Sequence, residues 1–236
     1  LKGYKGWKNS VILIEIVKNL NRKNWHNDKH FKILINNYAY SARFISLHRS
    51  NNEFFGELSD EIIEEQIKFT EFLVENRIPF MEIVKSRKNE RFLSVLIDNQ
   101  PYRFILFKWI DGIHMTKFNQ VITEEVGNMA AVFHKTATRY SCNSFPKTSH
   151  LIAYEGFVNR LKGELNSKDI LKENKSLLNE YLEMAKLHLK NAETDQFDFI
   201  IQSDLNPLNI IWNHDASTIK GIIDFESITY VDRIEG

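Results

Sequence analysis

The sequence predicts an α+β protein: an antiparallel β-sheet carrying one helix, then a mainly helical part that ends in a β-hairpin. Three observations predict it. Runs rich in β-branched and aromatic residues, among them "SVILIEIV" (10–17), "FKILI" (31–35) and "YRFILFKWI" (102–110), dominate the first 110 residues. One strong helix pattern (59–76) interrupts them. After Gly112 apolar residues recur at helical spacing, until strand character returns at 197–225.

Each element has its own signal. "NN" (36–37) predicts a tight turn from "FKILI" into "YAYSARFISL" (38–47). "RFLSVLI" (91–97) and "YRFILFKWI" read as two strands joined by "DNQP". Between these pairs, Ser59 caps a helix whose first turn holds Asp60 and Glu61, at the positive end of its dipole. The helix runs to about Asn76 and stops before Pro79. "TEEVGNMAAVFHKTATRY" (123–140) places Val126, Met129, Ala130, Phe133 and Ala137 on one helical face. Segments near 150–165 and 168–191 also read as helix. "NIIW" (209–212) and "IKGIIDF" (219–225) form a hairpin around the turn "NHDAST" (213–218). "WIDG" (109–112) marks the boundary between residues 1–110 and 111–236.

Composition limits the function classes. The 236 residues can bury a sizeable core. Lysine plus arginine equals aspartate plus glutamate at 31 each, without the basic excess of a nucleic-acid binder. No apolar run approaches the ~20 residues of a membrane span. The single cysteine, Cys142, excludes an intramolecular disulfide and a cysteine-based zinc site, and suits a reduced, cytoplasmic protein. The start at Leu1 and the stop at "DRIEG" lead to the expectation that both ends are trimmed.

The chemistry gathers at the late hairpin. Residues equidistant from an antiparallel turn face each other, so Asn209 and Asp224 share the open end of this one. Asp204 lies five residues before Asn209 and joins them. An amide oxygen and a carboxylate are hard ligands suited to Mg²⁺. A further carboxylate can accept the proton of an attacking hydroxyl. Asp-x-x-x-x-Asn followed by a second Asp is also the arrangement of kinase catalytic loops.

"IIQSDLNPLNIIW" (200–212) followed by "GIIDFES" (221–227) resembles the aminoglycoside phosphotransferase and choline kinase-like family, whose pattern reads His-Gly-Asp-Leu-x-x-x-Asn and then Ile-Asp-Phe/Trp-Glu. The resemblance implies a protein-kinase-like two-lobed fold and phosphorylation of a small-molecule hydroxyl from a nucleoside triphosphate, ATP or GTP. Carried over by motif, Asp204 is the catalytic base or orienter, and Asn209 and Asp224 hold Mg²⁺. Gln202 and Ser203 depart from the family's His and Gly, and Glu226 fits its small-molecule branch. The competing class is a non-catalytic nucleotide-binding protein on the same fold, which Gln202 and Arg43 would favour.

The resemblance also assigns residues in the first half. Arg43, the one charge in the middle of its strand, stands where the family's phosphate-binding Lys or Arg would be. Glu61, Glu64, Lys68, Glu71 and Glu75 form the polar stripe of helix 59–76. Glu65 falls instead among Ile62, Phe69, Phe72 and Leu73, and burying it unpaired would be costly, so Arg43 is its expected partner. Gly6 and Asn9 of "GWKNS" match the family's loop over the phosphates. Lys108, Trp109 and Ile110 match the connector that walls the nucleotide base. Other constellations are weaker. His26 and His30 lie at a helical metal spacing but in a polar loop without a third ligand. His134 reads as a packing residue, and Ser203 lacks a Gly-x-Ser-x-Gly elbow.

Overall fold

The computed structural model describes residues 14–20, 27–48, 58–145, 147, 151–165, 171–192 and 199–231. Gly6 and Asn9 lie outside the described residues, as does His26.

Strands β1 (Ile14–Asn19), β2 (Lys29–Ile35), β3 (Tyr38–Ser46), β4 (Leu93–Ile97) and β5 (Gln100–Lys108) form one antiparallel sheet in the order β1-β2-β3-β5-β4. Two hairpin turns set its register. Asn36 and Asn37 have φ of 50° and 67°, and Asp98 and Asn99 have φ of 51° and 60°. Both pairs take the left-handed backbone that matches strand twist in two-residue hairpins, a conformation asparagine and aspartate tolerate. The second turn is therefore Asp-Asn alone, and Gln100 and Pro101 already belong to β5. Arg91, expected to start a strand, lies outside β4 and bridges Glu64 at 2.6 Å and Glu71 at 2.5 Å.

β3 sits between β2 and β5, so Arg43 belongs to a central strand. The sheet is apolar on both faces. Ile33, Ile35, Ala42, Phe104 and Leu106 form a small cluster on one side. Ile45, Ile105 and Phe107 join the main core on the other, with helix α1 (Asp60–Glu75). Ser59 caps α1 by accepting the Ile62 N–H at 3.2 Å. Ile63, Ile67, Phe69 and Leu73 are its fully buried apolar residues.

The segment after α1 stitches the sheet to the late hairpin. Ile222 N–H donates to the Pro79 carbonyl at 2.7 Å, Met81 N–H to Ile222 at 3.0 Å, and Val84 N–H to Leu106 at 2.7 Å. The hairpin strands are β7 (Ile210–Trp212) and β8 (Ile219–Ile222), with Ile210 opposite Ile222. A further pair, β6 (Phe199–Gln202) with β9 (Ile228–Val231), flanks them. β9 extends the returning strand character beyond residue 225.

Helix α2 (Gln120–Ala137) starts earlier than Thr123 because Asn119 caps it, accepting the Ile122 N–H at 3.0 Å. It buries Ile122, Met129, Phe133 and Ala137 in the main core. Helices α3 (Leu151–Glu164) and α4 (Lys172–Ala192) pack on each other around Val158, Leu165 and Leu182. An apolar groove of about 540 Å³ runs along them, edged by Tyr154, Phe157 and Tyr181. No described helix is long and apolar enough to cross a membrane.

Candidate active site

The break in the apolar run at 203–209 is a tightly bonded loop. The Asp204 carbonyl accepts from Asn206 N–H at 2.8 Å and from Asn209 Nδ2 at 2.8 Å. Its carboxylate accepts from Asn206 Nδ2 at 2.7 Å through Oδ1, and from Asn209 Nδ2 at 3.1 Å through Oδ2. The Asn206 amide oxygen then accepts Leu208 N–H at 2.8 Å. Asp204 is exposed but held on both carboxylate oxygens. Asn209 spends its Nδ2 on Asp204, which leaves its amide oxygen outside that contact. Asn206 was not among the sequence candidates. An Asn two residues after an Asp, able to close a local side-chain turn, is the signal that points to it.

Both ends of this loop are fixed to Asp224 and its neighbour. Gln202, 2% exposed, donates from Nε2 to the Asp224 carbonyl at 3.2 Å. The Asn209 carbonyl accepts Ile223 N–H at 2.9 Å. Gln202 therefore braces the loop as a neutral amide, and its Oε1 is buried without a hydrogen-bond partner among the described residues. Asp224 has φ 72° and ψ 75°, the left-handed region, just where β8 gives way to a 3₁₀ turn at Phe225–Ser227. Such a backbone costs roughly 1–3 kcal/mol in a non-glycine residue and concentrates at functional sites.

Arg43 reaches the same place from β3. Its Nη2 donates to Glu226 Oε1, and its Nη1 lies 3.6 Å from Asp224 Oδ1. The guanidinium carbon stands 5.9 Å from the centre of the Phe225 ring. Across the strand, His30 pairs with Arg43 in register, and its Nε2 meets Ser41 Oγ at 2.7 Å. Burial, assisted by the Arg43 charge, pushes the His30 imidazole down to about 3.

The expected Arg43–Glu65 pair is replaced by other partners. Glu65 is 8% exposed, and it accepts from Tyr140 Oη at 2.6 Å and from Lys68 Nζ at 3.2 Å. Burial, with the Glu65 carboxylate beside it, pushes the Tyr140 phenol up, which keeps it a donor. The helical pattern correctly set Glu65 apart from the polar stripe, but could not foresee that residues past α2 supply its donor. Its neighbour Gln66, 2% exposed, is the α1 residue that reaches the site. Gln66 Nε2 donates to the carbonyls of Glu226 at 2.9 Å and Ile228 at 3.0 Å.

The connector residues stand at the end of β5. Lys108 pairs with Glu82, and its N–H donates to the Glu82 carbonyl at 2.9 Å. Trp109 N–H donates to the Ala39 carbonyl at 3.2 Å, the Lys32 ammonium lies 4.3 Å from its ring centre, and its Nε1 is buried without a partner among the described residues. Ile110 packs on Gly221, where an added Cβ would stand 2.4 Å from Ile110 Cδ1.

The oxygen donors suit a hard cation shared with a substrate. Among the described residues no cluster of three or more His, Cys, Asp or Glu could hold a metal. Mg²⁺ bound together with phosphates needs only one or two carboxylates, which fits Asp224 with the Asn209 amide oxygen.

A five-stranded antiparallel sheet with one packed helix, followed by helices and a hairpin that carries an Asp at its open end, is a kinase-like fold. The chain belongs to the phosphotransferase enzyme family, which it matches over residues 53–235. Its fold is similar to that of a microcompartment-associated aminopropanol kinase, with TM-score 0.64 and 13% identity over 94% of this chain and 66% of that one. It is similar to spectinomycin phosphotransferase, in complex with ADP and spectinomycin, with TM-score 0.62 and 12% identity over 94% and 66%. An amicoumacin kinase in complex with AMP-PNP and Ca²⁺ matches with TM-score 0.62 and 14% identity over 92% and 59%. The chain thus spans 59–66% of the length of these three. No curated protein matches it.

Proposed function

We propose that this protein is an ATP- or GTP-dependent O-phosphotransferase that transfers the γ-phosphoryl group to a hydroxyl of a small molecule in the cytoplasm. The observation that carries the reading is the loop that holds Asp204 and Asn209 and is bonded at both ends to Ile223–Asp224. Family membership and the ADP and AMP-PNP held by two structural neighbours support it.

The nucleotide lies between a nucleotide-binding lobe (1–110) and a catalytic lobe (111–236). Lys108, Trp109 and Ile110 wall its base. The family resemblance assigns Gly6 and Asn9 to the loop over the phosphates, and Arg43 binds phosphate oxygens. Asn209 and Asp224 would hold Mg²⁺, which would supply charge neutralisation at the transferred group. Asp204 orients the acceptor hydroxyl and takes its proton. The acceptor oxygen forms a bond to the γ-phosphorus as the bond to the bridging oxygen breaks, and the nucleoside diphosphate leaves. Positioning and fixed charges supply most of the barrier reduction.

Asp204→Ala separates binding from chemistry. Transfer to a panel of amino alcohol, sugar and aminoglycoside acceptors should fall by about a thousandfold or more, while calorimetric nucleotide affinity stays within about threefold. Full transfer activity in this variant would sink the assignment.

A further inference from the structure

We infer that Glu226, and not Glu65, is the positioning residue for Arg43, and that α1 acts on this pair through Gln66. The inference rests on the proposed contact between Arg43 and the nucleotide phosphates.

The pair is built as a support rather than as a surface bridge. The side chains of Arg43 and Glu226 are 17% and 7% exposed. A carboxylate so enclosed is costly to bury without a cation, and Arg43 supplies one. The guanidinium offers five N–H donors in a fixed fork. Nη2 can therefore stay on Glu226 while the other donors meet phosphate oxygens.

Glu226 is fixed in turn by its own backbone. Its carbonyl, and that of Ile228, receive both bonds from the buried Gln66 amide. Consecutive helix residues point about 100° apart, so Glu65 and Gln66 serve different neighbours. Glu65 ties α1 to Tyr140. Gln66 ties α1 to the 3₁₀ turn that carries Glu226 and to the start of β9. A shift of α1 would thus reach Arg43 through the 226–228 backbone.

A double-mutant cycle read by calorimetric titration of Mg²⁺-ATP tests this. Glu226→Gln should weaken binding about tenfold with Arg43 present, and by no more than about twofold when Arg43 is Gln. Glu65→Gln should change affinity by no more than about twofold in either background. An equal loss in both backgrounds would overturn the inference, since Glu226 would then act on the nucleotide or metal directly. So would a loss with Glu65→Gln and none with Glu226→Gln. Unchanged affinity in Arg43→Gln alone would instead remove the phosphate contact itself, whatever Glu226 does. If thermal melts show that Glu226→Gln does not fold, Glu226→Asp keeps the charge and shortens the reach. It should weaken binding only with Arg43 present, and an equal effect without Arg43 overturns the inference.

Discussion

Asn209 serves Asp204 through its nitrogen, and on the proposed reading its oxygen would meet the metal, so one amide would couple the positions of base and cation. A leucine of similar size could do neither. His30 shows the opposite logic. It is held neutral behind Arg43, with its imidazole lowered to about 3 by burial and by that charge. In the unfolded chain it titrates near the ordinary 6.5. Between these values the unfolded state binds more protons, so His30 contributes stability above about pH 6.5 that is lost progressively as pH falls toward 3. His30→Gln should therefore flatten the fall of melting temperature between pH 6.5 and 4 relative to wild type. An unchanged slope would show that other groups dominate acid unfolding.

At the scale of elements, the late hairpin and the connector depend on close backbone approach. A Cβ on Gly112 would stand 2.1 Å from the Trp212 carbonyl oxygen, a contact that only backbone movement can relieve. Ile113 and Trp212 exchange hydrogen bonds of 2.9 and 2.8 Å at that point. Gly112→Ala should cost about 1–3 kcal/mol of stability by overpacking, read from denaturant unfolding. Unaltered stability would mean the connector is free to shift. These elements were legible to different degrees. Ser59, Asn36–Asn37 and the 213–218 turn announce themselves by local chemistry, because caps and turns are satisfied by neighbours in sequence. Asp204, Asn209 and Asp224 were legible through spacing about a turn. β9 and the partner of Glu65 were not, because both depend on which distant segments the fold brings together. The Arg43 partner failed for the same reason: Glu226 lies 183 residues away, and alternation along β3 gives only the face.

At the scale of the molecule, one main core runs from Ile45 and Phe107 of the sheet through α1 and α2 to Trp212 and Ile222 of the hairpin and Phe225 of the 3₁₀ turn. The site lies where these meet, so the arginine of β3, the amide of α1 and the acids around the hairpin are positioned by a single packed unit. α3 and α4 stand apart with their own small cluster. On the proposed function this junction holds Mg²⁺ and nucleotide phosphates together, through Asp224. Calorimetric titration of ATP with and without Mg²⁺, in wild type and in Asp224→Asn, tests it most directly. Mg²⁺ should tighten ATP binding to the wild type by about tenfold or more, and that gain should vanish in the variant. ATP affinity that ignores Mg²⁺, or an equal Mg²⁺ gain in both proteins, would contradict the account.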